Sequence, residues 1–173
     1  MKRIPVFLLT LLFNVFISLN LPAQWTSQVS GTDVLLTDVF FVNTSTGWVV
    51  GAEGTILKTT NAGFTWSPQV SNTTAPLTSV YFLDTSTGWV VGSYGVVLKT
   101  TDGGNTWTPS NTGVPPDYLH DVYFWDADHG WATSQFAFLR TVDGGASWTY
   151  QSLPGAHLWG MHFTDENHGW AAG

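Results

Sequence analysis

The sequence contains no cysteine, which excludes a disulfide framework and a thiolate metal site whatever the redox state of its compartment. Stability must come from packing. Charge is scarce as well: only 10% of residues are charged, with five Lys and Arg against twelve Asp and Glu, a net charge of −7. A field of that sign makes nucleic acid and anionic membrane surfaces poor partners. No His-Glu-x-x-His or comparable ligand spacing occurs, so neither a metal nor another cofactor is expected. Long amphipathic helical patterns are missing too. Gly, Thr, Ser and Trp are abundant instead, the profile of short strands joined by tight turns. The 43% hydrophobic content is ample for a packed core and argues against disorder.

Met1, Lys2 and Arg3 precede an apolar run from Ile4 to Leu21, and Leu21-Pro22-Ala23-Gln24 offers a cleavage site after Ala23. This pattern predicts a secretory signal peptide over 1–23 and an exported product, periplasmic, cell-surface or extracellular. Pro5, Asn14, Ser18 and Asn20 interrupt the run, and no membrane span is expected once the signal is removed. Cleavage would leave Lys58, Lys99 and Arg140 against the twelve acids, a net charge of −9.

The dominant signal is a repeat. Trp25, Trp66, Trp107 and Trp148 are each 41 residues apart. A second series, Trp48, Trp89, Trp131 and Trp170, steps by 41, 42 and 39, and each member follows a glycine: Gly47, Gly88, Gly130 and Gly169. Around these anchors each unit reads as four short strands. Val39-Phe40-Phe41, Val80-Tyr81-Phe82, Val122-Tyr123-Phe124 and Met161-His162-Phe163 mark the first strand by alternation; Gly-Trp opens the second. Leu57-Lys58-Thr59, Leu98-Lys99-Thr100 and Leu139-Arg140-Thr141 mark the third, and the 41-residue Trp series opens the fourth.

A four-stranded unit of this length is a propeller blade, and closed propellers hold roughly four to eight. The expected fold is therefore all-β: a β-propeller of four-stranded antiparallel blades, of which an N-terminal fragment of about three to four is present. The blades are expected at 34–70, 77–111 and 118–152, with an incomplete fourth at 157–173 and an outer strand at 24–30 that closes the last blade of the ring. Further C-terminal blades of the same chain are thus expected partners.

Between the third and fourth strands, Thr100-Thr101-Asp102-Gly103-Gly104-Asn105-Thr106-Trp107 recurs as Thr141-Val142-Asp143-Gly144-Gly145-Ala146-Ser147-Trp148. It resembles the Asp-box, or BNR, repeat. The physical logic is an Asx turn: the carboxylate accepts turn amides, glycine supplies a positive φ and Trp buries a large ring. The first unit has Asn61 in place of Asp, which keeps an acceptor. Asn61, Gly63, Trp66, Asp102, Gly104, Trp107, Asp143, Gly145 and Trp148 are therefore read as structural; copies on symmetric blades cannot converge on one substrate. His129 and His168 precede Gly-Trp where other units carry Thr46 and Thr87, which fits solvated turns rather than ligation.

If repeated positions are scaffold, function belongs where the units differ, in the segments entering each first strand. There, Tyr118, His120, His157 and Trp159, with Asp117 and Asp121, would suit a sugar ring through stacking and hydrogen bonds, or a basic peptide. The expected ligand is a protein or a carbohydrate held at the propeller face.

The units Phe82…Gly88-Trp89-x-x-Gly92 and Leu98-Lys99-Thr100-Thr101-Asp102-Gly103-Gly104-x-Thr106-Trp107 resemble those of the photosystem II stability/assembly factor family. That resemblance covers nearly all of the chain after 23. It implies a seven-bladed propeller that, in photosynthetic organisms, assists reaction-centre assembly in the thylakoid lumen, and so an exported binding or assembly-assisting module without catalysis of its own. The alternative is the start of a secreted glycoside hydrolase. Sialidases share the box but need three arginines around the substrate carboxylate, which this chain lacks after its first residues. Xyloglucanase-type enzymes pair two carboxylates across a cleft between two propellers; one of the pair could lie here, with Asp38 or Asp121 as the candidate, and its partner in a part of the protein beyond this stretch.

Overall fold

The computed structural model describes residues 26–110, 113 and 117–173. The expected signal at 1–23 and the Trp25 position lie outside the described residues. The period-two segments each become the first strand of a sheet. The first sheet runs β1 (Leu36–Phe41), β2 (Gly47–Gly51), β3 (Ile56–Thr59) and β4 (Ser67–Gln69), hydrogen-bonded in sequence order. The second repeats it with β5 (Leu77–Phe82), β6 (Gly88–Gly92), β7 (Val97–Thr100) and β8 (Thr108–Pro109). The third comprises β9 (Leu119–Phe124), β10 (Gly130–Ser134), β11 (Ala137–Thr141) and β12 (Thr149–Ser152). A two-stranded sheet follows, β13 (Gly160–Asp165) with β14 (His168–Ala172). All pairings are antiparallel. The molecule is thus an all-β, partial propeller of successive four-stranded blades. Helix among the described residues is limited to 3-10 turns at Ala52–Gly54 and Ser93–Gly95, neither of them long and apolar enough to cross a membrane.

A blade is one sheet thick and apolar on both faces, so its core must form against its neighbours. One cluster joins Trp48, Val50 and Ile56 of the first blade to Leu77, Val80, Phe82, Val90 and Trp107 of the second. The next joins Trp89, Val91 and Val97 to Leu119, Val122, Phe124, Leu139 and Trp148. At the centre of each seam, the Trp of one blade's second strand lies flat on the Phe of the next blade's first strand. Trp48 and Phe82 stack at 3.4 Å and 7°, Trp89 and Phe124 at 3.5 Å and 7°. The Trp that opens the fourth strand meets the same Phe edge-on, at 88° for Trp107 and 86° for Trp148.

This seam explains the recurring Gly-Trp pair. Gly88 is the cross-strand partner of Phe82, and the ring lies over it so closely that a Cβ would fall 2.5 Å from Phe82 Cδ1. Only a residue without a side chain leaves room for Phe to stack beneath the neighbouring blade's Trp. Residues 26–30 join no sheet among the described residues, yet Gln28 approaches the first blade as Gln69 approaches the second. Their Oε1 atoms lie 3.7 and 3.2 Å from where a Cβ would stand at Gly63 and Gly104.

Candidate functional site

Strand direction alternates, so each blade's turns fall at two opposite ends. The first-to-second and third-to-fourth strand turns share one end; the second-to-third turns and the loops between blades share the other. The two sets of residues singled out in the sequence therefore lie on opposite faces.

At the first end are the Asx turns. Asp102 Oδ1 accepts the Thr106 amide at 2.9 Å, and its Oδ2 accepts the Thr106 hydroxyl at 2.6 Å; Thr100 Oγ1 donates back to Asp102. Asp143 repeats the pattern with the Ser147 amide, the Ser147 hydroxyl and Thr141. The Thr106 and Ser147 hydroxyls, with the amides of the same residues, pull both carboxyls down to about 2 by stabilising the charged form. In the first blade Asn61 accepts the Thr65 amide through Oδ1, and the second bond reverses, with Nδ2 donating to Thr65 Oγ1. Gly63, Gly104 and Gly145 hold φ of 85°, 92° and 86°.

These turns have a use beyond their own blade. The carbonyl of Gly103 accepts Trp48 Nε1 at 3.2 Å and Lys58 Nζ at 2.8 Å, both from the preceding blade. Gly144 accepts Trp89 Nε1 at 2.9 Å in the same way, and Lys99 lies over the Trp89 ring at 5.2 Å. The turns latch adjacent blades together. His129 and His168 close the neighbouring Asp-x-x-His turns, their Nδ1 atoms within 3.0 Å of Asp126 and Asp165.

At the other end, the first strands of blades one and two are tied to their successors by a repeated bond: Thr37 Oγ1 donates to Leu77 O at 2.7 Å, and Thr78 Oγ1 to Leu119 O at 2.6 Å. The third unit departs from this. His120 occupies the threonine position and its ring meets Trp159 of the next blade, with centroids 4.2 Å apart. Burial is the first cause that lowers the His120 pKa, with Asp117 opposing it. Tyr118 faces Tyr94 at 6.1 Å, and His157 faces Phe136 at 5.7 Å. Tyr94, Tyr118, Phe136 and Trp159 are 63%, 48%, 45% and 64% exposed.

The two acids of the predicted face behave differently from the rings. Asp117 accepts Ser134 Oγ at 2.6 Å and the Tyr118 amide at 2.7 Å. Asp121 accepts Ser79 Oγ, the Val122 amide and, from the next blade, the Met161 amide at 2.8 Å; burial raises its pKa against those bonds. Asp38 likewise accepts the Val80 amide across its seam at 2.9 Å. Asp38 and Asp121 therefore staple consecutive blades, and Asp117 holds its own loop. Sequence reasoning missed Tyr94 and Phe136. Their signal was a substitution at the second-to-third strand turn, where the first unit carries Glu53. Among the described residues no group of three or more His, Asp or Glu gathers to hold a metal ion. A groove of about 920 Å³ lies elsewhere, between residues 30–32 and the outer edge of the first blade near Gln69 and Thr73. Its Ser30, Ser71 and Thr73 hydroxyls bond within their own loops.

Comparison with solved structures places this architecture. A structure described as YCF48 bound to D1 peptide is similar over 78% of this chain and 47% of its own, with 24% identity and a TM-score of 0.67. YCF48 from Cyanidioschyzon merolae is similar over 79% and 47%, with 20% identity and the same TM-score. A GH74 enzyme from Niastella koreensis is similar over 74% of this chain and 24% of its own, with 16% identity and a TM-score of 0.61. At these identities the likeness is one of fold. The chain spans about half the length of the YCF48 structures. No curated protein matches. In sequence, the family described as photosynthesis system II assembly factor YCF48 matches residues 18–115, more than half of the chain. That stretch holds the first two blades, with the Gly-Trp stack and the latch that joins them, and by this match the chain belongs to the YCF48 assembly-factor family.

Proposed function

We propose that this chain is part of an exported propeller that binds a protein segment on the face carrying Tyr94, Tyr118, His120 and Trp159, and assists assembly without catalysis of its own. The observation that carries this is the break in the repeat. Threonine bonds tie the first two seams at that face, whereas in the third unit His120, packed on Trp159, takes the threonine's place, and Tyr94 and Trp159 stand more exposed than buried beside it. Exposed aromatics gathered on a rigid scaffold serve recognition. A relative described as bound to D1 peptide supports a peptide as the ligand class.

A scaffold role for the mouth carboxylates supports a binder over a hydrolase: Asp38 and Asp121 each accept an amide from the neighbouring blade, which commits them to the seams. The approach of Gln28 to Gly63 supports 24–30 as the outer strand of a further blade, and so a ring completed by blades beyond those described here. Export rests on the leader at 1–23.

A random peptide library selected on the chain and counter-selected on Trp159→Ala tests the proposal. Enrichment of sequences that bind the chain and not the variant is the expected result. Absence of any such peptide, together with turnover of xyloglucan oligosaccharides by the chain, would overturn it.

A further inference from the structure

The loops at the ring-bearing end of the blades share a second property, acids without any Lys or Arg. The described residues hold three cations, Lys58, Lys99 and Arg140, and all lie on third strands, each one residue from the strand's end at the Asx turn. Lys58 is bonded to Gly103 and Lys99 covers Trp89, both at the far end of the blades. The second-to-third strand turns and the described inter-blade residues contain Asp33, Glu53 and Asp117 and no Lys or Arg.

One of these rings is presented at some conformational cost. Tyr94 holds φ at 63°, in the left-handed region that residues other than glycine, Asn and Asp seldom adopt, and its ring is 63% exposed. It sits over Tyr118 from the adjoining loop, and Gly95 N donates to Asp117 O at 2.7 Å, which fixes the two loops to one another. One blade on, the corresponding pair of loops presents Phe136 and His157. Trp159, two residues beyond His157, packs on His120 of the preceding blade. Successive blades thus offer an aromatic pair from equivalent loops.

We propose that this rim receives a cationic, Lys- or Arg-bearing peptide segment, whose charges rest on the faces of Tyr94, Tyr118 and Trp159 in the negative field of the loops. Ring faces attract cations through their quadrupole, and a face without cations of its own adds to that attraction. This ligand class rests on the peptide-binding function proposed above.

The test uses fluorescence anisotropy with a labelled 12-residue peptide alternating Gly with Lys and Arg, beside the same peptide with Gln and with Glu at those positions. The cationic peptide is expected to bind, more weakly as salt rises. Trp159→Ala combined with Tyr94→Gly is expected to weaken it roughly tenfold, at two- to fivefold per ring. Tyr94→Gly suits the left-handed backbone, so the thermal midpoint should hold or rise and loss of binding cannot be laid to unfolding. Asp128→Asn, exposed on the opposite face, should change affinity less than twofold.

Equal binding of the Gln peptide, indifference to the double variant, or greater loss in Asp128→Asn would overturn the cationic assignment. The peptide-binding function would stand in those cases if library selection still depends on Trp159. Binding of xyloglucan oligosaccharides at the same rings, with no peptide selected, would remove both.

Discussion

Trp89 and Trp170 occupy the same place in the repeat and have opposite surroundings. Trp89 is fully buried: Phe124 stacks beneath it, Gly144 accepts its indole N–H and Lys99 covers it. Trp170, in the two-stranded sheet of β13 and β14, is 63% exposed. The other end of the stack mirrors this. Val39 and Phe41 are 56% and 42% exposed, whereas their counterparts Val80 and Phe82, one blade on, are 3% and 2%. The strands form alike in both settings. What separates the inner seams from the end faces is the neighbour, so stability in this molecule resides between blades more than within them.

The comparison is broken most directly by removing a seam Trp. Trp89→Ala should cost about 3–5 kcal/mol in a denaturant titration, through lost burial and the cavity left between blades. Trp170→Ala in the same chain should stay within about 0.5 kcal/mol. Equal losses at the two sites would show that the sheets, not the seams, carry the stability. A gentler cut is Gly88→Ala, which leaves every ring in place and forces Phe82 from beneath Trp48. Overpacking of this kind should cost about 1–3 kcal/mol and is read by the same titration; an unchanged midpoint would mean that the stack tolerates displacement.

The smallest effect is the pH dependence of the latches. Asp102 and Asp143 have folded pKa values of about 2, below the ordinary carboxyl value near 3.9. Their contribution is therefore complete above about pH 4 and is lost as the pH falls toward 2. Asp121, raised by burial, acts in the other direction, since protonation relieves a buried charge. The urea midpoint should fall between pH 4 and 2 in the chain, and less steeply in Asp102→Asn/Asp143→Asn. Asn61 already shows that an amide can hold this turn.

The turn chemistry was legible because it is local. Asp102, Gly104 and Thr106 lie within five residues of one another, and an Asx turn needs nothing beyond them. Asp38 and Asp121 were legible only as carboxylates near strand starts. Their bonds to Val80 and Met161 span 42 and 40 residues, so their use as staples follows from the stacking of blades. Tyr94 and Phe136 escaped for a related reason. Each stands in a short turn whose partner ring belongs to a different loop, and neither loop alone announces a surface.

By itself, the sequence determined the repeat, the four-strand unit and its turns, because strand alternation, glycine φ and Asx bonding act over a few residues. Only the tertiary structure decided why glycine must precede each Trp, which carbonyl the indole reaches and which aromatics share a face. Those depend on one blade meeting the next, roughly forty residues away, and on the area each removes from water there.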